Sequence, residues 1–202
     1  MKKSLATTSL LAGLVLPMVL GYARTSDAQA STEQSQIQIG MSIAPVPLDL
    51  TGKNRSLVGL GSYIVNAQGG CNDCHTWRPT DIPPNFGSNY EAGGDPFLGQ
   101  TERIYAAGYL AGGRPFGPFT SRNLTPDGAG NPARLTLDGF IDTMRTGVDS
   151  KNRHPAISPL LQVMPWPVYG NMTDRDLNAV YEFLRSIPCV GSIGSTRCTP
   201  TP

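Results

Sequence analysis

Three segments with helical periodicity, separated by a long stretch rich in proline and glycine, predict a mainly α fold with long loops. The stretch from Thr76 to Arg134 holds 8 Pro and 10 Gly in 59 residues, too many for long regular elements. A Cys-x-x-Cys-His motif lies between the first helical segment and this stretch, at Cys71 to His75. Together these features predict a few helices joined by extended loops.

The first helix is predicted from Ser56 to Gln68, where apolar side chains recur at helical spacing: Leu57, Leu60, Ile64 and Ala67. Glycine inside a helix costs roughly 1 kcal/mol relative to alanine. Gly59 and Gly61 therefore indicate a close approach to another helix, with mere tolerance of glycine as the alternative.

Two amphipathic helices are predicted after the glycine-rich stretch. Thr136 introduces the first and Gly147 closes it, and its apolar face consists of Leu137, Phe140, Ile141 and Met144. The second runs from about Thr173, a capping residue, to Ser186, with an apolar stripe of Leu177, Val180, Tyr181 and Leu184. We expect this stripe to pack against the glycine face of the first helix.

Cys71-Asn72-Asp73-Cys74-His75 is the attachment signature of c-type haem. Each thiol can add to one vinyl group of a haem, and the adjoining histidine then ligates the iron. Cys71, Cys74 and His75 are therefore predicted to hold one covalently bound haem (heme c). We expect the long loops to wrap this haem with apolar side chains, namely Ile82, Phe86, Phe97, Phe116, Phe119 and Leu124.

Two other roles for the cysteines fit the sequence poorly. A thioredoxin-like redox pair would need a βαβ setting, whereas the residues after His75 open a loop. A zinc site of four cysteines would need closer spacing than that between Cys189 and Cys198.

Residues 1–30 have the pattern of a cleaved secretory signal peptide. Lys2 and Lys3 precede an apolar run from Leu10 to Leu20, and Ala28-Gln29-Ala30 supplies a small-x-small cleavage site. The run of 11 residues is too short to span a bilayer, with an uncleaved anchor as the alternative. We predict a periplasmic protein, cleaved near Ala30, with no transmembrane segment in the mature chain.

The nearly equal numbers of basic and acidic side chains argue against two kinds of charged contact. Loss of the signal peptide leaves 13 of the 16 basic and 14 of the 15 acidic side chains, which gives no indication of nucleic-acid binding. Lys53 and Lys151 are the lysines that remain, so docking through a ring of lysines is not expected. An apolar patch at the haem edge is the predicted contact for redox protein partners.

Residues 31–54 are predicted to form a polar N-terminal arm, stiffened by Pro45-Val46-Pro47. Within it, Ile37, Ile39, Met41 and Ile43 alternate with polar or small residues, a period-two pattern that indicates a half-buried strand. Such a strand could cover the domain or add to a partner's sheet, and the sequence leaves both possibilities open.

The iron needs a second axial ligand opposite His75. The other histidine is His154, and the mature chain holds four methionines: Met41, Met144, Met164 and Met172. Met144 lies on the apolar face of a predicted helix, and Met172 precedes the capping Thr173, so both have sufficient structural roles.

Met164 lies in Val163-Met164-Pro165-Trp166-Pro167, where each proline favours extended backbone in its predecessor. This stiff apolar segment presents a thioether, so His75 and Met164 are the predicted axial ligands. Met172, His154 and an empty position remain as alternatives, although His154 is predicted to be a solvated loop residue.

Four more short motifs follow the haem motif along the chain. They are Gly112-Gly113-Arg114-Pro115-Phe116, Asn123 to Asp127, Met164-Pro165-Trp166 and Leu184-Arg185-Ser186-Ile187-Pro188. With the haem motif, they resemble the monohaem class I cytochromes c, and most of all the cytochrome c subunits and domains of periplasmic alcohol and sugar dehydrogenases. The resemblance covers Ser56 to Pro188 and implies a class I cytochrome c fold for residues 55–188.

The resemblance also implies a function. It implies a one-electron carrier that accepts electrons from a dehydrogenase donor and passes them towards a respiratory acceptor. It further implies a loop carbonyl, at Pro126 or a neighbour, that accepts a hydrogen bond from the free ring nitrogen of His75. Most dehydrogenase-linked subunits of this type bear several haem motifs, whereas this chain has one.

A haem enzyme or gas sensor with an open sixth position is the alternative function. No nucleophilic triad, phosphate loop or paired-carboxylate motif is evident in the sequence, so no catalytic residues are predicted. Residues 189–202 are predicted to form a C-terminal tail, closed by a disulfide between Cys189 and Cys198 because an oxidising periplasm favours it.

Overall fold

The structure, a computed structural model, describes residues 31–78, 88–149, 159–191 and 196–199. The chain forms two compact units, Met1–Ser35 and Gln36–Pro202. Of the first unit, residues 31–35 are described, and they are helical. The predicted signal peptide lies outside the described residues, as do Ile82, Phe86 and His154.

The second unit is mainly helical, as predicted. Its helices are α1 (36–43), α2 (Arg55–Tyr63), α3 (Cys71–His75), α4 (Leu137–Thr146), α5 (Trp166–Tyr169) and α6 (Asp174–Ser186). A π-helical segment, Ile64–Gln68, follows α2, and 3-10 turns lie at Pro96–Leu98 and Ala106–Gly108. Strands β1 (Pro115–Phe116) and β2 (Phe119–Thr120) pair antiparallel, with Phe116 opposite Phe119. No helix among the described residues has the length and apolar character needed to cross a membrane.

The strand predicted between Ile37 and Ile43 is wrong, because these residues belong to helix α1. Burial follows the helical period: Ile37 and Gly40 are buried, and Met41 packs partly buried against the core. Ile39 and Ile43 are 45% and 38% exposed. The apolar residues therefore alternate with polar or small ones in the sequence, but buried residues do not alternate with exposed ones in the structure.

Glycine at the crossing of α1 and α2 lets the two backbones touch. A β-carbon on Gly40 would overlap the carbonyl oxygen of Gly59, and one on Gly59 would lie 2.8 Å from the backbone oxygen of Ile37. The Ser62 hydroxyl donates a 2.6 Å hydrogen bond to the Gly40 carbonyl in the same buried contact. This crossing confirms the close approach predicted for Gly59.

The opposite side of α2 packs on α6, as the sequence predicts. A β-carbon on Gly61 would overlap the Ala179 carbonyl oxygen and lie 2.8 Å from Cβ of Phe183. Phe183 and Leu177 are fully buried in this contact region of the core. Because α2 is covered on two sides, Val58 is buried as completely as the residues of the predicted stripe.

The predicted ends of α4 and α6 are confirmed. The Thr136 hydroxyl accepts a 3.3 Å hydrogen bond from the Gly139 N–H, and the Thr173 hydroxyl accepts a 3.1 Å bond from the Asp176 N–H. Gly147 ends α4 in the left-handed conformation, with φ of 72°. Thr136 and Gly147 therefore fix the two points at which the chain enters and leaves α4.

The disulfide predicted between Cys189 and Cys198 is present. The tail it closes contacts the loop around Thr125: the Val190 N–H donates a 3.1 Å bond to the Thr125 hydroxyl, and Arg197 donates to the Thr125 carbonyl. The Asn123 side-chain amide donates a 2.8 Å bond to the Val190 carbonyl. The disulfide therefore closes a tail whose residues Val190 and Arg197 are hydrogen-bonded to this loop.

Replacement of both tail cysteines, Cys189→Ser with Cys198→Ser, should lower the free energy of unfolding by roughly 2.5 to 3 kcal/mol, through the added entropy of the unfolded chain. Urea unfolding of the variant and of the parent protein would measure the difference. Reduction of the parent protein with a thiol is the matched control, since it should produce the same loss. Equal stability of variant and parent would show that the tail contacts hold without the bond.

Candidate functional site

Helix α3 presents Cys71, Cys74 and His75 on one face, and all three line an apolar pocket. The helix starts directly after Gly70, whose φ of 57° allows the sharp turn that glycine tolerates best. At its other end, the His75 carbonyl accepts a 2.6 Å hydrogen bond from the Gly112 N–H. The motif is thus held at both ends in a geometry that turns its three reactive side chains the same way.

The ring of His75 is oriented by a backbone carbonyl. Its Nδ1 lies 2.7 Å from the carbonyl oxygen of Arg122, which can only accept, so Nδ1 carries the hydrogen. Burial lowers the pKa of His75, so the imidazole is neutral and Nε2 keeps a free lone pair. The carbonyl partner is predicted at Pro126 or a neighbour. It is the carbonyl of Arg122, in the same loop but closer to the β1–β2 hairpin.

The Arg122 side chain anchors the same backbone segment. Its guanidinium donates to the carboxylate of Asp149, which is 3% exposed, and to the carbonyl of Ala133. Arg122 and Asp149 both line the pocket. A buried charge pair that lost one partner would leave the other unpaired, so this ion pair favours one position of the carbonyl that holds His75.

Arg114 connects α3 to the β1–β2 hairpin. Its guanidinium donates to the Asp73 carbonyl and lies 5.7 Å from the ring centre of Trp77 and 5.5 Å from that of Phe116. Both ring distances are within the range of cation–π attraction. The conspicuous Arg-Pro-Phe segment therefore fastens the hairpin, and with it Phe116, to the helix that carries the cysteines.

The pocket encloses about 1190 Å³ when the open space at its mouth is included. Besides α3, its walls come from the hairpin, α4, the segment before α5, and α6, for example Phe119, Phe140, Leu161, Val180 and Leu184. Phe116, Phe119 and Leu124 line it as expected. Phe97 does not, since it is 85% exposed, and the expectation that it packs on a haem is wrong.

Two of the four candidate methionines reach the pocket. Met164 and Met144 line it, whereas Met41 and Met172 pack against the core elsewhere. Met144 is 7% exposed and lies on the buried face of α4, in keeping with its predicted core role. Met164 precedes α5, in a segment that places its thioether in the same pocket as His75.

The alternative roles of the cysteines find no support in the structure. Cys189 and Cys198 form a disulfide and are not available to zinc. Within the described ranges, no group of three or more His, Cys, Asp or Glu side chains is placed to hold a metal ion. Burial raises the pKa of the Cys71 thiol to about 12, which is the opposite of the shift a redox-active thiol needs.

The residues present fit a c-type haem. Two thiols that could bond to the vinyl groups and an imidazole with a free Nε2 lie on one wall of a large apolar pocket. A thioether from Met164 or Met144 could supply a second ligand. A mainly helical fold with this motif at the wall of such a pocket is consistent with the cytochrome c fold.

Curated relatives make the class more specific. Over 130 residues, the chain is 31% identical to the gluconate 2-dehydrogenase cytochrome c subunit of Pantoea cypripedii, covering 64% of this chain and 23% of that one. It is 28% identical over 152 residues to the cytochrome c subunit of a quinone alcohol dehydrogenase from Gluconobacter oxydans, covering 72% and 28%. Over 80 residues it is 35% identical to a nicotinate dehydrogenase subunit of Pseudomonas putida, covering 40% and 6%.

The chain is therefore similar to cytochrome c subunits of dehydrogenases, which confirms the resemblance inferred from its motifs. It spans about a quarter of the length of these two subunits and a smaller part of the nicotinate dehydrogenase protein. No family model matches the chain, and no solved structure matches it.

Proposed function

We propose that this chain is a periplasmic one-electron carrier in which Cys71 and Cys74 hold a single heme c and His75 and Met164 are its axial ligands. The observation that carries the proposal is that all four side chains line one apolar pocket. A bound haem would supply a single-electron ferric–ferrous couple. Similarity to dehydrogenase cytochrome c subunits supports an electron-transfer role.

The residues of the chain explain why a carrier is favoured over an enzyme. The Arg122 carbonyl holds the imidazole in one orientation, and the walls of the pocket are mainly apolar. A thioether in the remaining axial position would leave no place for a substrate, and it favours the ferrous state. We infer that the protein transfers electrons and is not itself a catalyst.

Visible absorption spectra of the purified protein test the proposal. We expect one haem per chain, a far-red methionine-to-iron band in the ferric form, and no spectral change when carbon monoxide is added to the ferrous form. A prompt carbon monoxide shift without the far-red band would contradict the His75 and Met164 ligation. That result would favour a haem enzyme or a gas sensor instead.

We further propose that a dehydrogenase donates the electron and that a respiratory acceptor receives it. Contact with the dehydrogenase would use the apolar segment beside the pocket, where Val163 and Val168 are 45% and 67% exposed and Val163 lines the pocket itself. Because the proposed contact is apolar, association should depend weakly on ionic strength.

Purification from the periplasmic fraction at low and at raised salt tests these partners. A dedicated subunit should copurify with a dehydrogenase under both conditions. A protein recovered alone under both conditions would indicate a free carrier, and absence from the periplasmic fraction would contradict the proposed location.

A further inference from the structure

Tyr169 joins two parts of the site that are far apart in sequence. Its hydroxyl donates a 2.7 Å hydrogen bond to the carbonyl of Gly69, 100 residues earlier in the chain. Tyr169 is the last residue of α5, which starts two residues after Met164, and its side chain lines the pocket. Gly69 lies two residues before Cys71.

The carbonyl that Tyr169 contacts is held firmly in place. The Gly69 N–H, directly after the π-helical segment, donates a 2.6 Å hydrogen bond to the carbonyl of Ile64, the first residue of that segment. A β-carbon on Gly69 would lie 3.3 Å from the sulfur of Cys71, so the backbone here packs close to the first cysteine of the motif. The Tyr169 bond therefore ends on the turn from which α3 starts.

Two other contacts hold the segment 164–170, and both are made with α4 or its C-terminal end. The Trp166 ring packs on Gly147, where a β-carbon would overlap the ring, and Arg145 donates to the Gly170 carbonyl. Both contacts tie the segment to α4 and its C-terminal end. They do not set the distance between the segment and α3, whereas the bond from Tyr169 does.

We propose that Tyr169 is a positioning residue that keeps the thioether of Met164 within reach of an iron bound by His75. The inference rests on the proposed function, since it concerns the same pair of axial ligands. Without the hydroxyl, the segment would stay attached to α4 but would move more freely relative to α3. The thioether would then leave the iron more often, and an external ligand could bind in its place.

The test compares Tyr169→Phe with the parent protein, because this change removes the hydroxyl and keeps the ring. We expect the equilibrium between bound and released thioether to shift about fivefold towards the released form, a factor set by the net value of one hydrogen bond. The far-red band should then weaken, and the ferrous variant should bind carbon monoxide under conditions in which the parent does not. The haem content should not change, since Cys71, Cys74 and His75 are intact.

Tyr181→Phe is the matched control. The Tyr181 hydroxyl also donates to a backbone carbonyl, that of Leu135 at 3.0 Å, but Tyr181 lies on α6 and does not line the pocket. This variant should lose similar stability and keep the spectrum and the carbon monoxide behaviour of the parent. Heat unfolding of both variants checks that they fold equally well.

The outcomes separate this inference from the function on which it rests. A parent protein with the far-red band and a Tyr169→Phe variant that behaves like Tyr181→Phe would overturn the positioning role and leave the proposed function standing. A parent protein without the band would overturn both. Equal effects of the two substitutions on carbon monoxide binding would mean that only overall stability matters, and would also overturn the positioning role.

Discussion

The substitution Gly61→Ala should destabilise the protein by about 3 kcal/mol or more, despite the higher helix propensity of alanine. The added β-carbon would overlap the Ala179 carbonyl oxygen and lie 2.5 Å from the Ala179 carbonyl carbon. Backbone atoms inside a helix cannot move aside as a flexible side chain can. The helices α2 and α6 would have to separate, which would open the core around Phe183. Urea unfolding would measure the loss.

Gly139→Ala is the matched control for this prediction. Gly139 lies in the first turn of α4, and a β-carbon there would meet side-chain atoms only, with the Thr136 hydroxyl nearest at 3.3 Å. The same chemical change should therefore alter the free energy of unfolding by about 1 kcal/mol or less in either direction. If Gly61→Ala is as stable as Gly139→Ala, α2 and α6 do not cross at Gly61.

The helices that the sequence predicts correctly carry local signals. In α4 and α6, capping threonines and a single apolar stripe coincide, and these features depend on neighbours within a few residues. In α1 the local pattern misleads, because isoleucine occurs on the buried and on the exposed face. Gly40 lies on the face of α1 that touches the backbone of α2 at Gly59. This contact explains the buried face of α1, and it cannot be recognised before the two helices are placed together.

The site shows the same division between local and distant information. The three residues of the haem motif are adjacent in sequence, so spacing alone predicts their shared face. The partner of His75 is 47 residues away, and the placement of Arg122 depends on its buried ion pair with Asp149, which no sequence pattern predicts. The contact of Tyr169 with Gly69 spans 100 residues and is equally invisible before the chain is folded.

The second axial ligand is the residue on which the proposed chemistry depends most. Met164 and Met144 both line the pocket that His75 lines, so both remain candidates for the second ligand. Met144 is fixed on the buried face of α4 beside Phe140, whereas Met164 lies on a segment outside the helices and is less buried. A segment anchored at Trp166 and Tyr169 would be able to offer its thioether to a haem iron, if one is bound, while the core around Met144 stays packed.

Met164→Leu should therefore have the largest effect on the haem, since leucine conserves volume and removes the sulfur. We expect the far-red band to disappear, the ferrous protein to bind carbon monoxide, and the reduction potential to fall by on the order of 0.1 V, within the roughly 0.8 V range that axial ligands command. Met144→Leu, measured by the same spectra and by potentiometric titration, should retain all three properties of the parent. The reverse pattern would assign the ligand to Met144, and the core face of α4 would then have to supply the iron's second bond.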